Sequence, residues 1–310
     1  MLKYIKDLKA TEKIDMIFLI SQREIKPKKD GGEYLFLKLS DKTGSLNAQI
    51  WDNVIKYVDW PKKGDYCRIK GATRLYKGII QVTINEITAV GKSEVNPEDY
   101  LPEQKFNSDE LFLKLREITN FINDPHLKSL VEEFLKDPKL TANLKLVPAA
   151  SKNHHAYPSG LLVHIISLMN ACMQISNVYP ELNKDILLTG AFLHDIGKTE
   201  ELTYDSGFTY TDTGELIGHI AIGMRILEEK IAKITDFPAG LKTQLVHIVL
   251  SHHGNLEFGS PVLPKTKEAL ALHFLDNLDA KLASYKQSME TVSANTNWSG
   301  WMSDRKFFKT

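Results

Sequence analysis

The sequence predicts a multidomain protein, all-β at its N-terminus and all-α beyond it. A five-stranded β-barrel spans residues 1–92, a linker 93–107, and a helical domain with a C-terminal tail 108–310. Three observations carry this reading. Apolar residues alternate with period two up to about Val90 and recur at three- and four-residue spacing from about Ser108. Charge divides the same way: residues 1–92 hold 18 Lys+Arg against 11 Asp+Glu, a net of +7, which the remainder cancels to give +0 overall. All ten histidines lie after residue 125.

At 310 residues, 43% hydrophobic and 25% charged, the chain can build two cores. Its two cysteines, Cys67 and Cys172, form neither a disulfide framework nor a CxxC metal site. They read as small core residues in a reducing cytoplasm. The N-terminus MLKYIKDLKATEKID has no apolar run after its first lysines and is not read as a signal peptide. No membrane span is expected.

The strands come in order. KIDMIFLISQREI is the first, and EYLFLKLSDKTGSLNAQIWD (33–52) gives two around the turn Asp41–Gly44. DYCRIKGATRLYKGIIQVTINEI (65–87) gives two more around Lys77-Gly78. With no long helix between them, five strands suit a small barrel. Alternation sends Leu35, Leu37, Leu39, Leu46, Ala48 and Ile50 inward. Tyr34, Phe36, Lys38, Asn47, Gln49 and Trp51 then face out, and the last hairpin adds Arg74, Tyr76 and Lys77. Aromatic rings interleaved with cations suit single-stranded nucleic acid, since each base offers a face to stack and each phosphate a charge. The competing reading is that these rings pack under the neighbouring domain. This segment resembles the OB-fold family of nucleic-acid-binding barrels, which implies an oligonucleotide ligand.

SEVNPEDYLPEQ (93–104) is polar and proline-containing, as a linker would be. Helices are expected over 108–122, 125–136, 159–177, 183–198, 214–233, 239–251 and 265–289. His164, the doublet His194-Asp195, His219, the pair His252-His253 and Asp276 each lie on a different apolar helix or at its end. One such histidine is more often a hydrogen-bonded core residue than a ligand. Five helices converging would leave a row of unpaired buried polar groups, which a metal cluster resolves.

The order H…HD…H…HH…D resembles the HD superfamily of metal-dependent phosphohydrolases. That resemblance implies a first ion on His164, His194, Asp195 and Asp276. It implies a second on His219 with His252 or His253, Asp195 bridging, and Lys198 as the lysine of the HDxGK run. Two ions about 3.5–4 Å apart can generate a hydroxide and stabilise a leaving oxygen. Lys198 lies one helical turn from His194, where it could reach a phosphate oxygen; otherwise it is a solvated helix end. Asp279 reads as a partner behind the ligands or an ordinary charge. His247 and His273 read as core or surface residues, and His154-His155 as lining an entrance.

A barrel of this kind followed by an HD domain closely resembles the YhaM family of bacterial 3′→5′ exoribonucleases. FLISQREIK, YLFLKLSDKTGSLNAQIWD, HHAYPSGLLVH, AFLHDIGK and DNLDAKL carry the likeness. It implies Mn²⁺-type two-metal hydrolysis, with Fe, Co or Mg as alternatives, of single-stranded RNA or ssDNA to nucleoside monophosphates. The departure is Ser159, where a Gly-Gly pair with Gly160 is expected. Two other readings stand beside this one: a phosphohydrolase of a small nucleotide or cyclic dinucleotide, which would not need the barrel, and a non-catalytic nucleic-acid-binding protein. Oligomeric state is left open, a homo-oligomer included, and the tail NWSGWMSDRKFFKT is expected on the body, on a neighbouring subunit or on RNA.

Overall fold

The computed structural model describes residues 3–28, 31–76, 79–100, 106–150, 157–203, 209–290, 296–299 and 305–309. Lys77, His154, His155 and part of the tail lie outside them. Two compact units are present, one of residues 1–103 with 204–209, the other of 104–203 with 210–310.

The first unit is a closed barrel of β1 (Lys13–Pro27), β2 (Glu33–Asp41), β3 (Gly44–Ile50), β4 (Tyr66–Tyr76) and β5 (Ile79–Val90) in the order β1-β2-β3-β5-β4. Fifteen-residue β1 pairs antiparallel with both β2 and β4, and a parallel β3–β5 pairing completes the cylinder. Closure leaves no edge strand to aggregate. Leu35, Leu37, Leu39 and Ala48 are fully buried, with Leu46 and Ile50 nearly so, as period-two alternation requires. Phe18, Ile20 and Ile69 complete that core.

The second unit is helical: α1 (Ser108–Thr119), α2 (Pro125–Leu135), α3 (Pro138–Leu144), α4 (Gly160–Val178), α5 (Lys184–Leu193), α6 (Lys198–Glu201), α7 (Asp212–Ile217), α8 (His219–Ile231), α9 (Ala239–Ser251) and α10 (Lys267–Glu290). Local chemistry starts them. Asn107, Asp124, Asp137 and Asn183 each accept two backbone N–H groups at a helix N-terminus, and Pro125 and Pro138 hold first-turn positions that need no donor.

Four points differ from the sequence reading. The apolar run 183–198 ends as a helix at Leu193 and gives way to the turn at 194–197 before α6, and 214–233 is broken at Gly218 (φ 76°). The short α3 was not foreseen. Helix α4 is also long and apolar enough to cross a membrane, contrary to expectation. Here it is a core helix, with Leu161, Leu162, Ile165, Leu168, Met169 and Cys172 buried.

Candidate metal centre and nucleic-acid interface

The seven predicted ligands come from five elements, and the helical core brings them together. His164 projects from α4, His194 and Asp195 follow α5, His219 opens α8, His252 and His253 follow α9, and Asp276 sits on α10. His194 is fully buried, His252, His164 and Asp195 nearly so.

The turn at 194–197 sets the spacing. A Cβ on Gly197 would lie 2.0 Å from the His219 carbonyl oxygen and 2.6 Å from the Gly223 nitrogen. Only glycine lets this turn reach the first turn of α8, and that approach brings Asp195 to His219. Upstream, Ser159 occupies the position where glycine was expected. It adopts a left-handed conformation (φ 63°) and is fully buried. Such a conformation costs a residue with a Cβ roughly 1–2 kcal/mol, which its Oγ–H bond to the Lys145 carbonyl (2.6 Å) offsets.

The five imidazoles share one orientation, with Nδ1 tied to a neighbour. His164 Nδ1 donates to Asp279 (2.7 Å) and His219 Nδ1 to Glu201 (3.0 Å). His194, His252 and His253 donate to the carbonyls of Ala191 (2.9 Å), Val249 (2.8 Å) and Phe258 (2.9 Å). This fixes the tautomer and leaves Nε2 to act as ligand.

Two donor sets result. In the first, His164 Nε2 is 3.2 Å from both His194 Nε2 and Asp276 Oδ1, and Asp195 Oδ2 is 3.4 Å from His194 Nε2. In the second, His219, His252 and His253 offer ring nitrogens within 4.8 Å of one another. Asp195 Oδ1 lies 3.5 Å from His219 Nε2 and 3.6 Å from His252 Nε2. One carboxylate thus turns an oxygen to each set. Those two Nε2 atoms are buried and have no hydrogen-bond partner among the described residues. Buried nitrogen lone pairs aimed at one point, with carboxylates between them, fit a divalent metal.

The electrostatics match. Burial opposes charge on His164, but hydrogen bonds to Asp276 and Asp279 outweigh it and raise its pKa to about 9. Asp276 and Asp195 likewise ionise well below the usual carboxylate range despite burial, Asp276 through His164 and Asp195 through Lys198. Burial pushes His252 and His253 down, so both stay neutral. Lys198 is half-buried rather than a solvated helix end, and its Nζ donates to Asp195 Oδ2 at 2.6 Å.

Three supporting residues surround the ligands. Asp279, seen in the sequence as a partner behind the ligands, fills that part and also accepts from Ser167 Oγ (2.5 Å). Glu201 was missed. Its Oε1 accepts from both the His219 backbone N–H (2.9 Å) and Nδ1 (3.0 Å), and the His219 bond holds it ionised against burial. Its only sequence signal was a carboxylate close behind the HDxGK run. His273 was read as unremarkable, yet its Nδ1 donates to the His252 carbonyl (2.9 Å). Its ring fills the space beside Gly254 (φ 80°), where a Cβ would lie 2.0 Å from Cε1. The turn after α9 is therefore moulded on His273. His247 accepts the Lys265 N–H at 2.8 Å and takes no part.

On the barrel, Tyr34 and Trp51 stack at 4.8 Å, Arg74 lies 5.4 Å from the Trp51 ring, and Lys26 sits 4.0 Å over Phe36. Tyr34, Phe36, Lys38, Trp51 and Arg74 are half-buried and Tyr76 is exposed. Gln49, expected to face outward, is buried instead: it donates to Gln81 (3.1 Å) and accepts from Arg74 (2.8 Å). Lys26 was not foreseen, because strand alternation does not show which cation folds over a neighbouring ring.

A five-stranded barrel joined to a helical domain with this histidine–aspartate centre defines an OB-fold/HD-domain protein. Residues 161–281 match the HD domain family, and residues 19–90 match an OB-fold nucleic acid binding domain family of the tRNA anticodon type. The 3′-5′ exoribonucleases YhaM of Bacillus velezensis and Bacillus subtilis are each 33% identical to this chain over 282 residues, 91% of this chain and 89% of theirs. This chain belongs to the YhaM family. Among solved structures, the second OB-fold domain of replication protein A from Methanococcus maripaludis covers 28% of this chain and 93% of its own, at 19% identity and a TM-score of 0.24.

Proposed function

We propose that this chain is a metal-dependent 3′→5′ exoribonuclease that hydrolyses single-stranded RNA to nucleoside monophosphates. The observation that carries the reading is the Asp195 carboxylate, placed between two imidazole sets with one oxygen toward each. His164, His194, Asp195 and Asp276 would hold one divalent ion, and His219, His252 and His253 with Asp195 a second, with Mn²⁺ the proposed ion. When bound, such a pair supplies an activated water and stabilises charge on the phosphoryl oxygens.

The chain's own residues do the rest. Asp279, Glu201 and the carbonyls of Ala191, Val249 and Phe258 hold the rings in register before substrate arrives. Lys198 stays protonated, because the pair with Asp195 outweighs burial. It supplies a fixed positive charge beside the reacting phosphate. The half-buried Tyr34, Phe36 and Lys38 of β2, Trp51 after β3 and Arg74 of β4 would grip the strand by stacking and charge, for ssDNA as for RNA. Polarity follows the names of the relatives, and the monophosphate product is part of this proposal, from the resemblance to the YhaM family. Two free, buried cysteines accord with a cytoplasmic, reducing location.

The test is 5′-labelled single-stranded RNA incubated with chelated protein, with and without restored Mn²⁺. A ladder shortening one nucleotide at a time from the 3′ end is expected only with metal. Cleavage of circular RNA would refute the exonuclease reading. Asp195→Asn should abolish hydrolysis while leaving RNA binding nearly intact; loss of both would mean that the centre also shapes the binding surface.

A further inference from the structure

We propose that Gln49 and Gln81 are positioning residues of the nucleic-acid interface, which hold the Arg74 guanidinium in place for a phosphate of the bound strand. The proposal rests on the reading of the barrel as the part that holds RNA. Both glutamines alternate to the outward face, beside the core residues Ala48, Ile50 and Val82. Amides on such a face are normally solvated, yet Gln49 is only 6% and Gln81 9% exposed.

Strand register places the three side chains together. Gln81 stands opposite Arg74 on β4 and Asn47 on β3, and Gln49 lies two residues beyond Asn47 on the same face. Arg74 Nη2 donates to Gln49 Oε1 at 2.8 Å, and Gln49 Nε2 donates to Gln81 Oε1 at 3.1 Å. Because a guanidinium can only donate, Arg74 takes the oxygen end of the Gln49 amide, and the nitrogen end then needs the Gln81 oxygen. Gln81 therefore fixes Gln49, and Gln49 fixes Arg74. The Trp51 ring, 5.4 Å from Arg74 Cζ, supports the guanidinium on a second side.

This relay aligns the charge without cancelling it. Elsewhere on the barrel cations meet carboxylates: Lys26 pairs with Glu24 (3.0 Å), Arg68 with Asp15 (2.6 Å) and Lys70 with Glu86 (3.0 Å). Arg74 has no carboxylate partner among the described residues, and neutral amides hold it instead. Its Nε–H is buried without a partner, and its Nη1 bonds no described residue. A half-buried guanidinium with unspent donors and no counter-ion suits an anion, and a phosphate accepts from two of its N–H groups at once. Fixing the fork beforehand removes rotamer freedom that binding would otherwise cost. A carboxylate at position 49 would align the arginine equally well and neutralise it; an amide does the first without the second.

The test is a double-mutant cycle on the full-length chain, with chelator present to stop hydrolysis, read by anisotropy of a short 5′-fluorescein single-stranded RNA. Arg74→Met should weaken binding about tenfold at low salt, alike for different base sequences. It should also lower the slope of log affinity against log salt by about 0.7. Gln49→Leu should weaken binding about three- to tenfold and Gln81→Leu by less, and neither should add to Arg74→Met. Gln81→Leu reaches the relay from its far end, so it carries the test if Gln49→Leu unfolds the barrel. Equal losses from Gln49→Leu with and without Arg74 would make the amide merely structural and overturn the proposal. So would a loss in Arg74→Met confined to one base, since the guanidinium would then read a base edge and not a phosphate. If Tyr34→Ala/Phe36→Ala leaves RNA binding intact, the reading of the barrel fails and takes the relay with it. If that pair weakens binding while Gln49→Leu and Gln81→Leu do not, the relay alone fails.

Discussion

Replacing Glu201 with alanine should weaken the proposed second metal site and spare the first. The Glu201 carboxylate, nearly buried, holds His219 twice, through the backbone N–H at 2.9 Å and Nδ1 at 3.0 Å. With the carboxylate gone, the ring is free to move its proton to Nε2, the nitrogen that must ligate. Removing such an outer partner typically costs about 10–100-fold in metal affinity, or about 1.4–2.8 kcal/mol at 1.4 kcal/mol per tenfold. The first set should be untouched, because Asp279 and the Ala191 carbonyl orient its histidines. Calorimetric titration of chelated protein with Mn²⁺, followed by elemental analysis after dialysis, reads this as one tight and one weakened site. Glu201→Gln keeps an acceptor oxygen and should fall between. Equal weakening of both sites, or two wild-type sites in Glu201→Ala, would refute the reasoning.

Other outcomes follow from the same structure. His164, raised to about 9 in the metal-free site, must lose its proton to ligate, so metal binding should release a proton and strengthen as pH rises toward 9. Identical apparent enthalpies at pH 8 in buffers of different ionisation enthalpy would contradict this. Asp137 caps α3 and pairs with Lys230, whose side chain is 6% exposed. Asp137→Ala should cost on the order of 2–4 kcal/mol in denaturant unfolding. The Lys230 bond holds Asp137 ionised below the usual carboxylate range, so in wild type this stability is complete above that range and fades as pH falls through the lowered value. Burial pushes Cys67 and Cys172 up to about 12, so neither should react with a thiol reagent at pH 8 until the chain is unfolded. Tyr34→Ala/Phe36→Ala should weaken RNA binding by about 1–3 kcal/mol per lost stack, yet leave hydrolysis of a small chromogenic phosphodiester unchanged. Equal loss on both substrates would make those rings structural.

The barrel was legible because inward leucines alternate with outward Tyr34, Phe36 and Lys38 across β2, and the candidate ligands because seven histidines and aspartates fall on apolar helices or at their ends. What escaped depends on how groups meet across the fold. Gln49 alternates outward yet is buried, because Gln81 on the paired strand β5 and Arg74 on β4 beyond it bond its amide. Glu201 and His273 act on ligands distant in sequence, one gripping the first residue of α8 and the other filling space that Gly254 leaves. Their residue types are ordinary at those positions, so only the packed structure reveals their work.

The break in the run 183–198 joins these strands of the argument. Apolar periodicity predicts one helix through His194 and Asp195. In such a helix the amide of residue 195 would take the Ala191 carbonyl, since each N–H bonds the carbonyl four residues back. His194 Nδ1 would then have to share that acceptor with a backbone donor, which weakens its hold on the tautomer that presents Nε2. Ending the helix at Leu193 leaves the last carbonyls without helical donors, and the ring of His194 takes one of them. Helix α9 repeats the device: it ends at Ser251, and His252 donates to Val249. Each set therefore contains a histidine fixed by the carbonyl three residues before it, at a helix C-terminus. A sequence can show this only as a polar residue interrupting an apolar period, the feature that reading by periodicity smooths over. The interruption frees a carbonyl for the ring at His194 and His252, whereas His164, inside unbroken α4, takes the Asp279 carboxylate for the same purpose.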